Sequence, residues 1–245
     1  MPDRVYLDWN ATTPLRPEAR QAMAAAWDLA GNPSSVHAEG RQARRLVEGA
    51  RAAISGAVGA RPQDLVFTSG GTEANALALT PGLRRGACEP AQRLLVSAIE
   101  HTSVLSGGRF PPEAIGTIQV TGSGLIELDH LRRLVADGQP ALVSVMLANN
   151  ETGALQPVGE VADIVHEAGG LLHVDAIQAL GKIPLAVQEC DRHHGDVEIG
   201  RGAYRIARQD TQPATIRGHT CLQRDLHREI RNGSISLHAC DSLIS

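Results

Sequence analysis

Apolar positions in the first 189 residues follow two alternating rhythms. Pro17 opens an Ala-rich segment that runs to Gly31. Proline in a first turn and glycine just past an end predict a helix there. Ala43, Leu46, Val47, Ala50, Ala53, Ile54 and Ala57 then recur at spacings of three and four. That spacing predicts a long amphipathic helix. Further on, short apolar runs alternate with helical ones. "DLVFT" precedes "EANALAL", and "RLLVSAI" precedes "TSVL". "GTIQV" precedes "LDHLRRLVA", "ALVSVML" precedes "VGEVADIVHEAGG", and "LLHV" follows. Strands alternating with helices predict an α/β fold, a mostly parallel sheet flanked by helices.

The rhythm stops near Glu189. Residues 190–245 hold three of the four cysteines, five of the ten histidines and eight arginines. Leu222, Leu226 and Ile230 fit one face of a short helix, and little else there is periodic. The chain therefore divides into residues 1–189 and an atypical, irregular tail, 190–245, expected to be poorly ordered. Cys190, His193 and His194 form a metal-binding alternative, but their spacing fits no closed four-ligand set.

Composition narrows the picture. Of 245 residues, 42% are hydrophobic and only 2% aromatic, so the core must come from Ala, Val, Leu and Ile. The net charge of −4 gives no electrostatic case for nucleic acid. No apolar run approaches a membrane span. The opening "MPDRVYLDWN" lacks the apolar stretch of a signal peptide. Four well-separated cysteines without a CxxC fit free thiols in a cytoplasmic chain.

Ligands bind open α/β sheets outside the carboxyl ends of the strands. Polar clusters stand at four such ends: Thr68 to Glu73, Glu100 to Thr102, Asn149 to Gly153, and Asp175 to Gln178. Four clusters on one edge predict one shared site. Gly70 and Gly71, flanked by hydroxyls and opening a helix, suit a phosphate held by backbone N–H groups. The alternative is that Ser69 or Thr72 merely caps the helix. The cluster is neither a Walker loop nor a dinucleotide fingerprint. His101 is placed to stack on a flat ring or handle a proton, unless it is a structural histidine. Asn150 and Gln178 are neutral amides fit to orient a ring hydroxyl, or else turn formers. In "LLHVDAIQALGKIPL", Asp175 ends an apolar strand, and a buried carboxylate needs a donor or cation. Either it caps the next helix, or it partners a ligand. Phosphate, flat ring and carboxylate together point to pyridoxal 5'-phosphate (PLP), whose ring nitrogen takes an acidic partner.

These residues carry a resemblance. "YLDWNATTPLRPEA", "GNPSSVHAEGRQAR", "FTSGGTEANALAL", "EHTSVL", "ANNETGALQPV" and "HVDAIQALGKIPL" resemble, in order, the cysteine desulfurases of the NifS/IscS type. Those are fold-type I PLP enzymes of the class V aminotransferase group. The resemblance covers about residues 4–189. It implies that Gly71 and Thr72 hold the cofactor phosphate. It implies that His101 stacks on the ring and assists proton transfer, and that Asn150 contacts the ring hydroxyl side. Asp175 would pair with the pyridinium nitrogen, and Gln178 would contact the phenolic oxygen. Ala11, Thr12 and Asn32 would border the substrate pocket. The implied reaction takes sulfur from L-cysteine, leaving L-alanine and an enzyme persulfide for iron–sulfur cluster or cofactor assembly. The implied partners are a sulfur acceptor and a second subunit in a homodimer. Selenocysteine lyases and other class V members carry similar motifs.

The resemblance also implies two groups that do not arrive. The family's cofactor lysine lies one strand further on, in a Ser-x-His-Lys context. Here that region reads "AVQECDRHHGDVEIGRGAYRIARQ", without a lysine. Lys182 is the sole lysine of the chain, and its "GKIP" setting matches another family position. It is expected to be solvated. The persulfide-forming cysteine has no counterpart either, because Cys190, Cys221 and Cys240 lie in no matching context. The expectation is a truncated, inactive desulfurase whose tail comes from a frameshifted or rearranged gene, binding PLP non-covalently at best. The alternative outside enzymes is an inert fragment or a phosphate- or PLP-binding partner protein.

Overall fold

A computed structural model describes residues 4–84 and 88–185, and the backbone of residues 235–236. Helices α1 (Pro17–Trp27) and α2 (Ala38–Val58) come first. Strand β1 (Leu65–Val66) then leads into α3 (Gly71–Ala78). After β2 (Arg93–Ser97) come α4 (Thr102–Leu105), β3 (Ile115–Ile118) and α5 (Leu128–Val135). Next are β4 (Ala141–Met146), α6 (Val158–Glu167) and β5 (Leu171–Asp175). Strand β6 (Ile235–Ser236) pairs in parallel with β1, Leu65 opposite Ile235.

The main sheet has the order β3-β2-β4-β5 and is parallel throughout. Parallel sheets are covered on both faces, so their inner strands are apolar at nearly every position. All six residues of β4 are accordingly buried. Register shows how alternation sorts the side chains. Leu95, Val143 and Leu172 stand side by side across three strands and pack with Leu131 and Val135 of α5 and Val161 and Val165 of α6. Leu94, Leu142 and Leu171, one position back, face the other way, onto Leu79, Val104 and Phe110. Gly108 closes this second layer. Its φ is +58°, and a Cβ there would lie 2.5 Å from the Leu79 Cβ and carbonyl oxygen. Such close approach, at positive φ, leaves room only for glycine.

Chain order departs from spatial order at one place. From β2 the chain steps outward to β3, then returns across the sheet to β4 and continues to β5. The loops leaving β2 and β4 therefore diverge. A crevice opens at such a switch point, on the carboxyl side of the strands.

Two expected elements differ from their sequence reading, and a third forms with less of its face buried than its stripe suggests. The first helix ends at Trp27 rather than reaching Gly31. Leu29 closes back onto the Ala26 carbonyl, an i to i+3 bond that tightens and ends the last turn. The strand expected in "DLVFT" is confined to Leu65 and Val66, and Phe67 is partly exposed beneath the Arg51 guanidinium. Helix α2 forms as expected and ends on Gly59 in the left-handed conformation. Its apolar stripe is buried only near the end, where Ile54 and Val58 meet Leu180. Leu46, Ala50, Ala53 and Ala57 are exposed. Periodicity reports a face fit for burial, and among the described residues nothing lies over most of it.

Among the described residues no helix is long and apolar enough to cross a membrane. The expectations for Cys190, His193, His194, Cys221, Cys240, Leu222, Leu226 and Ile230 lie outside the described residues.

Candidate cofactor cleft

A cleft of about 320 Å³ opens at the carboxyl ends of β2, β4 and β5. Its lining comes from five places: Asn10 and Ala11; Gly71, Thr72 and Asn75 of α3; His101 and Ser103 after β2; Met146 at the end of β4 with Ala148 and Asn150 beyond it; and Asp175, Ile177 and Gln178. The four polar clusters thus meet in one site. Of the nine residues singled out, Ala11, Gly71, Thr72, His101, Asn150, Asp175 and Gln178 line it. Thr12 and Asn32 do not. Asn32 accepts from the Ser34 N–H at 2.9 Å, a local turn, and the Thr12 carbonyl accepts from the Tyr6 hydroxyl.

At one end stands the first turn of α3. Its N-cap is Gly70, with no side-chain cap. Ser69 is instead drawn to Glu73, donating both its N–H and its hydroxyl to Glu73 Oε2 at 2.6 Å. Neither Ser69 nor Thr72 caps the helix, so its first-turn N–H groups face the cleft without a side-chain acceptor.

At the other end Asp175 is buried at the tip of β5. Its Oδ1 accepts from the Ile177 N–H at 3.1 Å, a bond that closes a local turn; among the described residues no helix follows β5 for it to cap. Its Oδ2 accepts from Asn75 Nδ2 at 3.1 Å. A second carboxyl lies behind it. Glu100 Oε1 accepts from the Ser97 hydroxyl at 2.5 Å and from the Met146 N–H at 2.7 Å. Its Oε2 is buried without a hydrogen-bond partner among the described residues. Burial pushes the Glu100 carboxyl up to about 7, against the two hydrogen bonds, and the nearby Asp175 charge adds to the rise. Among the described residues no lysine or arginine lines the cleft. A buried carboxylate lining a cavity without lysine or arginine, with a second carboxyl behind it, suits a cationic or N–H-bearing guest.

The side walls are polar. His101 begins α4, its Nδ1 accepting from the Ser103 N–H. Asn150 gives its amide to Glu151, and its carbonyl accepts from Asn10 Nδ2 at 2.7 Å. Gln178 is engaged at both ends of its amide. Nε2 donates to the Asn10 carbonyl at 2.9 Å, and Oε1 accepts from Lys182. Lys182 is exposed, as expected, but tied to Gln178 rather than merely solvated.

A family model for aminotransferase class-V matches residues 5–192. The chain belongs to the class-V aminotransferase family. A cysteine desulfurase of Cereibacter sphaeroides is 42% identical over 193 residues, covering 76% of this chain and 49% of the relative. The human selenocysteine lyase is 37% identical, with 76% and 49% covered. The X-ray structure of a NifS-like protein from Rickettsia africae matches with a TM-score of 0.68 at 36% identity, covering 76% of this chain and 51% of that one. The chain spans about half the length of the curated relatives it matches.

Class-V aminotransferases and cysteine desulfurases are PLP-dependent families. The residues present in this class-V chain fit that group at two points: an uncapped helix start for a phosphate, and a buried carboxylate for a ring nitrogen. Sequence reasoning gives no role to Asn75, Ser103, Asn10 or Glu100. One signal is legible. Asn75 and Leu79 are four apart, so a polar residue stands on the apolar face of "EANALAL". Glu100 follows an apolar strand just as Asp175 ends one.

Proposed function

We propose that the cleft is a PLP site of the cysteine-desulfurase kind. The observation that carries this reading is the meeting of the α3 start, His101 and Asp175 in one cleft at the switch point of the sheet. PLP, when bound, supplies an electron sink for chemistry at the α-carbon of an amino acid. The chain's own residues do the rest. Gly71 and Thr72 offer backbone N–H groups to the phosphate, helped by the partial positive charge of the helix start. Asp175 would keep a proton on the ring nitrogen. His101 would stack on the ring and move a proton. Asn150 and Gln178 would border the ring's oxygen side, and Ala11 would border the substrate.

L-cysteine is the amino acid proposed, because a cysteine desulfurase is the relative with the higher identity. A selenocysteine substrate is the weaker alternative. The sole lysine of the chain is bonded to Gln178 and does not line the cleft. PLP is therefore held here by non-covalent contacts, and the isolated chain releases no sulfide from cysteine. The division at about residue 189, with residues 190–245 unlike the family, is part of the same proposal.

The test is an absorbance titration of the purified 245-residue chain with PLP, alongside thermal unfolding with and without it. A ligand that binds only the native state raises the unfolding temperature. Saturable binding with stabilisation, and no alanine formed from cysteine, is the expected result. Absence of binding overturns the PLP site, and steady alanine production overturns the non-covalent reading.

A further inference from the structure

We propose that Asn75 is a positioning residue that ties Asp175 to His101 through Ser103. Its amide nitrogen lies 3.1 Å from Asp175 Oδ2 and 2.9 Å from the Ser103 hydroxyl oxygen. An amide NH2 carries two hydrogens, and here one goes to each acceptor. Asn75 is 1% exposed, so water does not compete for either bond. The facing carboxylate also fixes which way the amide points. Turned over, its oxygen would meet the oxygen of Asp175.

The bond to Ser103 governs the histidine. The Ser103 hydroxyl oxygen accepts from Asn75, and its own hydrogen points to His101 Nδ1, 2.7 Å away. The Ser103 backbone N–H also donates to Nδ1, at 3.2 Å. Two donors converge on this nitrogen, so it is an acceptor and the ring proton of the neutral imidazole stands on Nε2. His101 therefore presents an N–H donor, not a lone pair, from its remaining nitrogen. At the other end, Asn75 and the Ile177 N–H hold one oxygen of Asp175 each. The carboxylate cannot turn freely, yet keeps lone pairs for a ring N–H. One buried amide thus sets both the orientation of the acid and the tautomer of the histidine.

Helix α3 explains the placement. Asn75 and Leu79 lie on one face, four apart. Leu79 packs into the layer that holds Leu171 of β5. Asp175 shares that face of the strand, four residues on, and Asn75 sits one turn back along the helix, over it.

The part of this inference that concerns the ring nitrogen rests on the PLP reading; the tautomer does not. The experiment uses the full chain with 15N-labelled histidine. In the protein without PLP, the His101 nitrogens should show a protonated Nε2 and a hydrogen-bonded Nδ1. Ser103→Ala and Asn75→Leu should both shift Nδ1 toward a more weakly bonded acceptor, held by the Ser103 backbone N–H alone, whereas Ser103→Thr, which keeps the hydroxyl, should not. Asn75→Leu should also weaken PLP binding roughly tenfold to a hundredfold, the usual effect of losing a hydrogen bond to a charged group. His101 signals unmoved by Asn75→Leu would overturn the relay. So would unmoved signals in Ser103→Ala, which decides the matter should Asn75→Leu fail to fold. Unchanged PLP affinity in Asn75→Leu would overturn the role at Asp175. If the unaltered chain binds no PLP, the cofactor reading fails while the His101 shifts still decide the relay.

Discussion

Glu100 is bonded to the residue that stands opposite Asp175 in the sheet. Met146 pairs in register with Asp175 on the neighbouring strand, and its N–H goes to Glu100 Oε1 at 2.7 Å. A second carboxyl is thereby held behind the cleft that Asp175 lines.

Glu100 is raised to about 7 in the folded chain from an ordinary value of 4.5. Below about pH 4.5 it is protonated in both states. Between about 4.5 and 7 only the folded state keeps the proton, so folding loses stability as pH rises through this window. The cumulative loss is about 3 kcal/mol. Glu100→Gln keeps the shape and the two accepted hydrogen bonds but cannot ionise. Its unfolding temperature should exceed that of the unaltered chain at about pH 8 and fall less between about pH 5 and pH 8. A variant with the same pH dependence as its parent would contradict this account of the carboxyl.

Asp175→Asn should separate charge from shape. The side chain still fits, but it no longer offers a carboxylate to a ring nitrogen, and its amide faces that of Asn75. PLP affinity should fall about tenfold or more. Titration by absorbance measures it, and equal affinity in the variant would remove Asp175 from the site.

Gly108 makes a prediction about the fold alone. Gly108→Ala adds a Cβ into Leu79 at a backbone φ of +58°. The nearest atoms include the Leu79 carbonyl, which accepts the Arg109 N–H and has little freedom to retreat. Denaturant titration should show a loss of about 2 kcal/mol or more. A loss below about 0.5 kcal/mol would mean that the loop moves aside freely.

Gln178→Ala should release the segment around Asn10. That segment reaches the cleft through Gln178 Nε2 to the Asn10 carbonyl and Asn10 Nδ2 to the Asn150 carbonyl. Removing the first bond should speed amide hydrogen exchange across residues 6–12 without altering β4. Unchanged exchange there would show that the Asn150 contact suffices.

Much of the fold is legible in the chain. The strand–helix alternations from β2 to β5 appear where the apolar runs place them, because a strand packed between helices is apolar along most of its length. The convergence of four polar clusters comes from one rule about strand ends. Helix α2 shows the limit: its stripe is correctly a helix face, but a period names no partner. Asn75 and Ser103 are hidden for another reason. Each acts through a neighbour, and a lone polar residue in an Ala-rich helix carries no motif. Glu100 stands in a polar cluster beside His101, whose chemistry is the more evident. Only the register of β4 against β5 reveals how near Glu100 lies to Asp175.

The bond from Gln178 to Asn10 spans 168 positions of chain. During synthesis, the segment around Asn10 leaves the ribosome long before the turn after β5 exists to receive it. Each residue of the sheet that supports Gln178 must be made in between. The contact between the two therefore closes only after the strands that carry Gln178 have been made.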